Sequence, residues 1–289
     1  MLKEMMVNSV IQHIEDNLEN RFITIESLVI HSGYSRRYLQ LVFKELTGVP
    51  VGKYIRMRRV SRAAALLKLS KLSALEISER LLYDSQQTFT REFKKVFGCT
   101  PIQYRNISSW PLEKILGRRY AHETYPSPEL CFLDKRNVFG KVFDYKEPIL
   151  YTGVDAESRW GRLYGYLNQH KHITVSNRIP FYNKGDVTAR TILWTDEKKA
   201  NCSIVIEGGL YAHFSFRCCM RDYMKYMYNI YYNSLPRLSL NKRDAYDMEI
   251  VTIKGTGCNS FLVCDVYLPV CVGGAINASL LGSAPFINQ

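Results

Sequence analysis

The chain has 289 residues, of which 46% are hydrophobic, and its 39 basic residues outnumber its 27 acidic ones. This length suits about two domains of roughly 100–200 residues each, and the apolar content excludes wholesale disorder. The formal net charge of +12 favours a polyanionic partner such as nucleic acid, and no run of about 18 apolar residues predicts a membrane span. Residues 1–110 hold 17 basic and 10 acidic side chains and the remainder holds 22 and 17, so the positive excess is denser near the N-terminus.

The first third of the chain predicts helices separated by tight turns. Apolar residues recur at helical spacing in residues 7–18. Thr24 is a fitting N-cap for a second helix, and Ser35 caps a third helix after a turn at 31–33. Gly48 ends that third helix, because glycine is the usual residue just past a helix C-terminus.

A second copy of this plan follows a long connecting helix, predicted from about residue 51 to residue 69. A supporting helix covers 75–81, and Asp84 or Ser85 caps the next helix, which Gly98 ends. One face of the long helix carries four arginines, which are either a solvated surface or contacts to DNA phosphates: Arg56, Arg58, Arg59 and Arg62.

The third and sixth helices share one design. Each has an apolar face and a face of Gln, Arg, Thr and Lys, and each follows a tight turn and a serine. That is the build of a helix-turn-helix recognition helix, whose N-terminal residues contact base edges in the major groove. Two such helices in one small domain predict a monomer that reads two adjacent groove segments.

Residues 5–106 resemble the AraC/XylS transcription activators, and most closely the MarA/SoxS/Rob group. The resemblance is carried by stretches at 32–35, 39–40, 43–44, 54–56, 85–91, 93–95, 100–101 and 104–105. It implies a seven-helix all-α domain with two helix-turn-helix motifs that binds an asymmetric DNA site as a monomer.

The resemblance also implies which side chains touch DNA. Base-reading positions fall on Arg37, Gln40, Gln86, Gln87, Thr88, Thr90 and Arg91. Arg suits guanine and Gln suits adenine through paired hydrogen bonds. Phosphate contacts are assigned to Ser35, Arg36, Lys44, Arg56, Arg59, Lys94 and Lys95. The chain departs from the group at Arg37, where Trp is usual, at Leu41, where Arg is usual, and at Leu82, where Gly is usual.

The C-terminal part shifts to β-type patterning. Strands are predicted at 139–144, 190–194, 202–206, 211–216, 246–251 and 261–268, and helices at 158–170 and 220–232. The order predicts an α+β domain of two strand-helix-strand-strand repeats.

Residues 200–270 resemble the GyrI-like ligand-binding domain that follows the DNA-binding domain in the Rob type of regulator. The carrying stretches are 206–214 and 263–270. The resemblance implies an aromatic pocket with a carboxylate for a cationic, lipophilic guest, formed by Trp160, Tyr164, Phe214, Tyr223 and Asp265. The alternatives are that the aromatic residues only build a core and that Asp265 is a surface or salt-bridged residue.

The eight cysteines show no CxxC motif and no Cys/His spacing of a zinc site. We expect reduced, buried thiols, with redox sensing as the open alternative. No nucleophile elbow, metal motif or phosphate loop accompanies His213, Cys218, Cys219 and Glu207, so neither enzyme activity nor a cofactor is expected.

These patterns predict a DNA-binding domain at 1–110, a linker at 111–128, a GyrI-like regulatory domain at 129–270 and an uncharged tail at 271–289. The predicted function is a monomeric, sequence-specific bacterial transcription activator in the cytoplasm, associated with the nucleoid. It would act with RNA polymerase on stress and antibiotic-tolerance genes and would respond to a small amphipathic or cationic effector, without a membrane partner. The alternative is an architectural or origin-binding DNA protein, since phosphate contacts give affinity without sequence information.

Overall fold

The computed structural model of the protein describes residues 1–119, 125–147, 157–178, 187–255 and 260–272. The chain divides into two compact units. The first contains residues 1–68 and 72–106 and the described part of 114–124; the second contains 69–71 and 107–113 and the described part of 125–289. The predicted linker at 111–128 is therefore shared between the two units. Across the described ranges, no helix is long and apolar enough to cross a membrane.

The first unit is helical, as the sequence predicts. Its helices are α1 (Leu2–Asn17), α2 (Ile25–Ser32), α3 (Arg36–Thr47), α4 (Val51–Leu69), α5 (Ala74–Arg80), α6 (Gln86–Phe97) and α7 (Pro101–Asn106). The N-caps follow from local chemistry. Thr24 and Ser27 satisfy each other's backbone N–H groups at the start of α2, and Ser73 and Glu76 do the same at α5.

The core below α3 is built from the apolar faces of the first four helices. Val10, Ile11, Leu39 and Phe43 are fully buried there, and the Tyr54 ring meets the Phe43 ring edge-on at 5.4 Å. Burying such side chains contributes about 1.5–3 kcal/mol each, so this core fixes the position of α3.

A segment beyond α7 completes the first unit. Leu116 packs against the core of α1–α4, and its N–H donates to Ser61 Oγ at 2.8 Å. Arg119 donates to the Thr47 carbonyl at 2.6 Å, at the last residue of α3. A guanidinium there satisfies a carbonyl that has no partner within the helix, and its charge opposes the negative end of the helix dipole.

The turn before α6 carries backbone strain. Leu82 has φ +58°, whereas the corresponding turn before α3 uses Gly33 at φ +71°. The left-handed conformation costs a non-glycine residue about 1–2 kcal/mol. The turn before α6 keeps a left-handed residue without the usual glycine, and its N-cap Ser85 follows Leu82 one residue later than Ser35 follows Gly33.

We expect Leu82→Gly to stabilise the first unit by about 0.5–1 kcal/mol, because relief of the strain outweighs the added backbone entropy of the unfolded chain. Urea denaturation followed by helical circular dichroism measures this. Leu82→Ala is the matched control: it retains a Cβ and gains nothing. Equal stability of the glycine and alanine variants would contradict the strain.

The second unit is an antiparallel sheet with helices. Its strands are β1 (Glu129–Leu133), β2 (Arg136–Glu147), β3 (His172–Arg178), β4 (Val187–Trp194), β5 (Cys202–Ile206), β6 (Gly209–Cys218), β7 (Leu240–Lys242), β8 (Asp247–Lys254) and β9 (Phe261–Val272). The helices are α8 (Glu157–His170), α9 (Tyr223–Asn229) and α10 (Leu235–Arg237), and a π-helical turn joins the last two.

The strand order is β1-β6-β9-β8-β3-β4-β2-β5, with β7 paired to β9. The order contains the same arrangement twice. In β2-α8-β3-β4 the third strand lies between the first and second, and β6-α9-β8-β9 has the same order, with β7 inserted before β8. The second strands of the two arrangements, β3 and β8, pair at the centre of the sheet.

The two faces of this sheet are covered differently. On one face, Phe143 meets Tyr166 of α8 and Phe216 stacks on Tyr226 of α9 at 4.7 Å. On the other face, Tyr211 contributes to a cluster that combines the two edge strands with central strands. Its buried members are Cys131, Leu133, Val138, Ile206, Tyr211 and Met248.

Three strands were not predicted. β1 is short, β7 has three residues, and β3 (HITVSNR) looks polar although Ser176 and Asn177 are buried. At the other end, residues 271–272 continue β9, so the predicted tail begins within a strand; residues 273–289 lie outside the described residues.

Candidate nucleic-acid interface

Helix α3 presents a row of polar side chains to solvent above its buried apolar side. Leu39, Val42 and Phe43 are buried, and the predicted contact residues of this helix are exposed: Arg36, Arg37, Gln40 and Lys44. The exposed Ser35 caps the helix by accepting the Tyr38 N–H. Leu41 is 64% exposed among these polar residues, where an apolar side chain can contact a thymine methyl group.

Helix α6 repeats the arrangement over a different core. Phe89 and Phe93 are buried, and Phe93 packs edge-on against Tyr104 of α7. Above them, one shallow surface brings together five predicted contact residues: Gln86, Gln87, Thr90, Arg91 and Lys94. Lys95 is also exposed.

Thr88 differs from the other predicted base-reading residues. Like Thr90 it is half-buried, but its hydroxyl lies 3.1 Å from the hydroxyl of Ser85. Ser85 also accepts the Thr88 N–H at 3.1 Å as the N-cap of α6. The Thr88 side chain is thus engaged in holding the helix start.

A groove of about 540 Å³ separates the two helix-turn-helix pairs within the first unit. Its polar lining comes from three helices and one turn: Arg36, Gln40, Arg56, Arg59, Tyr83, Thr88 and Glu92. Three of the four charged side chains are positive, so the groove favours an anion such as the DNA backbone.

The two arginines predicted to bind phosphate from α4 are not equally available. Arg56 is 47% exposed, and its Nε lies 3.7 Å from a Glu92 carboxylate oxygen. Arg59 is half-buried; its Nε and Nη2 have no hydrogen-bond partner in the described part of the chain. Burial lowers the pKa of Arg59 from its ordinary value. Arg56 is therefore the better placed of the two.

The other two arginines of α4 point inward, which corrects the single exposed arginine face considered from sequence. Arg58 binds both carboxylate oxygens of Glu15 at 2.7 Å. Arg62 binds Glu19, which also accepts from Arg80 of α5. Each inward arginine meets a carboxylate distant in sequence, a pairing that helical periodicity alone cannot reveal.

The exposed ion pair at the start of α3 is weak. Arg36 Nη1 lies 3.4 Å from Glu26, and both side chains are about two-thirds exposed. Such pairs contribute at most about 1 kcal/mol, so a DNA phosphate can replace the glutamate.

Among the predicted ligand-pocket residues whose side chains the structure describes, Asp265 does not lie with Phe214 and Tyr223. Phe214 and Tyr223 are fully buried between the sheet and α9. Asp265 lies on the opposite face of β9, where His213 Nε2 is 2.9 Å from its carboxylate. Tyr164 is 41% exposed on α8, and the side chain of Trp160 lies outside the described residues.

A different carboxylate faces the helices. Glu249 of β8 is 2% exposed and accepts hydrogen bonds from Asn177 at 2.7 Å and from the Tyr223 hydroxyl. Asn177 in turn accepts from Thr191 at 2.6 Å. The available signal was Glu249 itself, an acidic residue between the apolar Met248 and Ile250 of a strand.

Comparison with known proteins gives one family. A model described as a helix-turn-helix domain matches residues 28–107. The F1 operon positive regulatory protein of Yersinia pestis is 51% identical over 272 residues, which cover 93% of this chain and 89% of that protein.

Two further similarities cover different shares of the chain. The right origin-binding protein of Escherichia coli K12 is 28% identical over 241 residues, which cover 78% of this chain and 83% of that protein. Among solved structures, the DNA-binding domain of AdpA in complex with a target DNA is 27% identical, with a TM-score of 0.33; the match covers 34% of this chain and 88% of that one.

Proposed function

Because this chain belongs to the AraC/XylS family of helix-turn-helix transcription regulators, we propose that it activates transcription by binding an asymmetric DNA site as a monomer. Its two recognition helices, α3 and α6, enter successive segments of the major groove. The protein acts at the nucleoid in the bacterial cytoplasm.

One observation supports two-part recognition above all others. Both helices are capped by serine, both rest on their own apolar cores, and both expose Gln and Arg side chains. A single copy of the chain thus carries two reading surfaces in one unit, which fits an asymmetric site.

The name of the Yersinia pestis relative, a positive regulatory protein of an operon, supports activation over repression. Activation implies contact with RNA polymerase at the promoter. The target class includes stress and antibiotic-tolerance genes.

The second unit acts as the regulatory domain. Its twice-repeated strand order supports a GyrI-like fold. An amphipathic or cationic effector would need an acidic aromatic site, and buried Glu249 with Tyr223 offers that chemistry better than Asp265 does.

The alternative is an origin-binding or architectural protein, favoured by the name of the Escherichia coli relative. It predicts weak sequence preference, since non-specific affinity comes from phosphate contacts. The ratio of operator affinity to random-DNA affinity at a fixed salt concentration separates the two functions.

The test is selection from a random duplex library with the full-length protein at physiological salt. We expect an enriched asymmetric site of about 20 bp, with two parts roughly one helical turn apart. No enrichment would favour the architectural function. Enrichment of a single short part would contradict the two-helix reading.

On the selected site, Gln87→Ala and Arg91→Ala should each weaken specific binding by about 1–3 kcal/mol, because each loses a contact to a base edge. Lys95→Ala is the control from the same helix. It should weaken operator and random DNA equally and reduce the salt slope by about 1. Titrations at several salt concentrations measure both effects. Full operator binding by Gln87→Ala would contradict the assigned register of α6.

A further inference from the structure

The joint between the two helix-turn-helix pairs is lined by charged groups. The core below α3 is formed by residues up to Ile55 together with Leu116. On the buried side of α6, the Phe93 ring packs against the rings of Phe89 and of Tyr104 in α7. Helix α4 connects the two helix-turn-helix pairs, and on one side of α4 the groove separates the two pairs. Contacts across the joint therefore decide how α3 and α6 are oriented.

Two carboxylates bridge this joint. Glu19, just after α1, accepts from Arg62 of α4 and from Arg80 of α5, the latter at 2.5 Å. Its side chain is 18% exposed. Burial would raise the pKa of Glu19, but the two arginines lower it below its ordinary value, so the carboxylate is ionised at neutral pH.

The second bridge lies in the groove. Glu92 is the sole acidic residue of α6 and is 23% exposed, 3.7 Å from Arg56 Nε. Close by, Arg59 of α4 faces Tyr83. Burial raises the pKa of Tyr83 to about 12; Glu92 adds to the rise, and Arg59 and Arg56 oppose it. The charges of Arg56, Arg59 and Glu92 thus act on one another across the groove, around the neutral Tyr83 hydroxyl.

We infer that Glu19 and Glu92 are specificity-determining residues that fix the spacing between the two DNA half-sites the protein accepts. Without Glu19, the cations of Arg62 and Arg80 face each other and repel. Without Glu92, α6 loses its ionic tie to α4 on the groove side. Either loss lets the second recognition helix turn relative to the first, and the protein then tolerates more than one spacing.

The inference rests on the proposed two-helix reading of DNA. One added base pair moves a half-site by about 3.4 Å and rotates it by roughly 34°, since B-DNA has about 10.5 bp per turn. A rigid joint rejects that change, and a loosened joint follows it. Spacing tolerance is therefore a readout that loss of general stability does not produce.

The experiment measures binding of full-length protein to the selected operator and to operators with one or two base pairs added or removed between the half-sites. Wild type should lose at least about tenfold on a one-base-pair change. Glu19→Gln and Glu92→Gln should lose some affinity for the operator with native spacing. For each variant, altering the spacing should then reduce the affinity further by less than about threefold. Glu45→Gln, an exposed glutamate of α3 paired with Lys3, removes the same charge and should keep the wild-type profile.

Circular dichroism checks that every variant is folded, and the milder Glu92→Gln serves if Glu19→Gln unfolds. Exchanging the partners in Arg56→Glu/Glu92→Arg should restore the spacing profile, although overall affinity falls. Folded Glu92→Gln with the wild-type profile would overturn the inference while leaving the proposed function intact. A wild type indifferent to spacing would instead refute the two-helix reading itself.

Discussion

Replacing Arg58 with alanine should lower the free energy of unfolding of the first unit by about 3–5 kcal/mol, the cost of leaving a buried charge without its partner. Arg58 and Glu15 are 6% and 13% exposed, and two of the guanidinium nitrogens bind the carboxylate at 2.7 Å. Burial alone would raise the pKa of Glu15, but Arg58 lowers it below its ordinary 4.5. The variant forces the carboxylate either to remain charged and unpaired or to take up a proton.

The pH dependence follows from this lowered pKa. The stabilisation by the pair is complete above about pH 4.5 and is lost as the pH falls through the pKa of folded Glu15. Arg58→Ala should therefore differ most from wild type near neutral pH and least in acid. Urea denaturation followed by helical circular dichroism at pH 7 and pH 4 measures the difference.

The matched control is Arg36→Ala, which breaks the exposed pair with Glu26 and should cost at most about 1 kcal/mol. The double variant Glu15→Leu/Arg58→Met removes both charges and should recover most of the loss. An Arg58→Ala protein as stable as Arg36→Ala would show that the inner pair contributes nothing.

In the second unit, Lys242→Met should cost about 3–5 kcal/mol for the same reason. Lys242 Nζ lies 2.8 Å from Asp247 Oδ1, and the two side chains are 7% and 6% exposed. The Tyr231 hydroxyl donates to the other carboxylate oxygen at 2.6 Å. Methionine fills similar space but leaves the carboxylate without its cation.

The pKa of Asp247 is shifted in the opposite direction from that of Glu15. Burial raises the pKa of Asp247 above its ordinary 3.8, although Lys242 and Tyr231 oppose the rise. Without the lysine the pKa rises further, because the charged form loses its cation. The deficit of Lys242→Met should be greatest at pH 8 and should shrink as the pH falls, because Asp247 then takes up a proton.

The three tryptophans, Trp110, Trp160 and Trp194, all belong to the second unit, so tryptophan fluorescence reports its unfolding separately from that of the helical unit. Arg190→Ala, which breaks an exposed pair with Asp144, is the control. Adding Asp247→Asn to Lys242→Met should restore stability at pH 8. A deficit that does not change with pH would contradict the role assigned to Asp247.

Much of the first unit was readable from sequence because its signals are local. Caps at Thr24, Ser35 and Ser85 and left-handed glycines at Gly48 and Gly98 set the helix bounds within a few residues. Such signals act over three or four positions of one helix, so a single sequence contains them in full.

The missing information was long-range. Arg58 and Arg62 share a helix with Arg56, and only their pairing with Glu15 and Glu19, 43 residues away in sequence, turns them inward. In the second unit, strand alternation located β9 but did not show which of its two sets of side chains faces the helices. The predicted pocket carboxylate Asp265 lies on the face away from Tyr223. Which residues of the interface contact DNA stays a prediction.

The segment through Leu116 and Arg119 bears on how this regulator can be divided or recombined. The helix-turn-helix pattern ends before residue 110, yet a chain cut there would leave the Thr47 carbonyl at the end of α3 without Arg119 and the first core without Leu116. A fusion that joins a different domain to this helix-turn-helix unit must retain residues through 119. The modular boundary lies after the segment that contacts the end of α3, so an exchange of the second unit upstream of that boundary would also remove part of the helix-turn-helix unit.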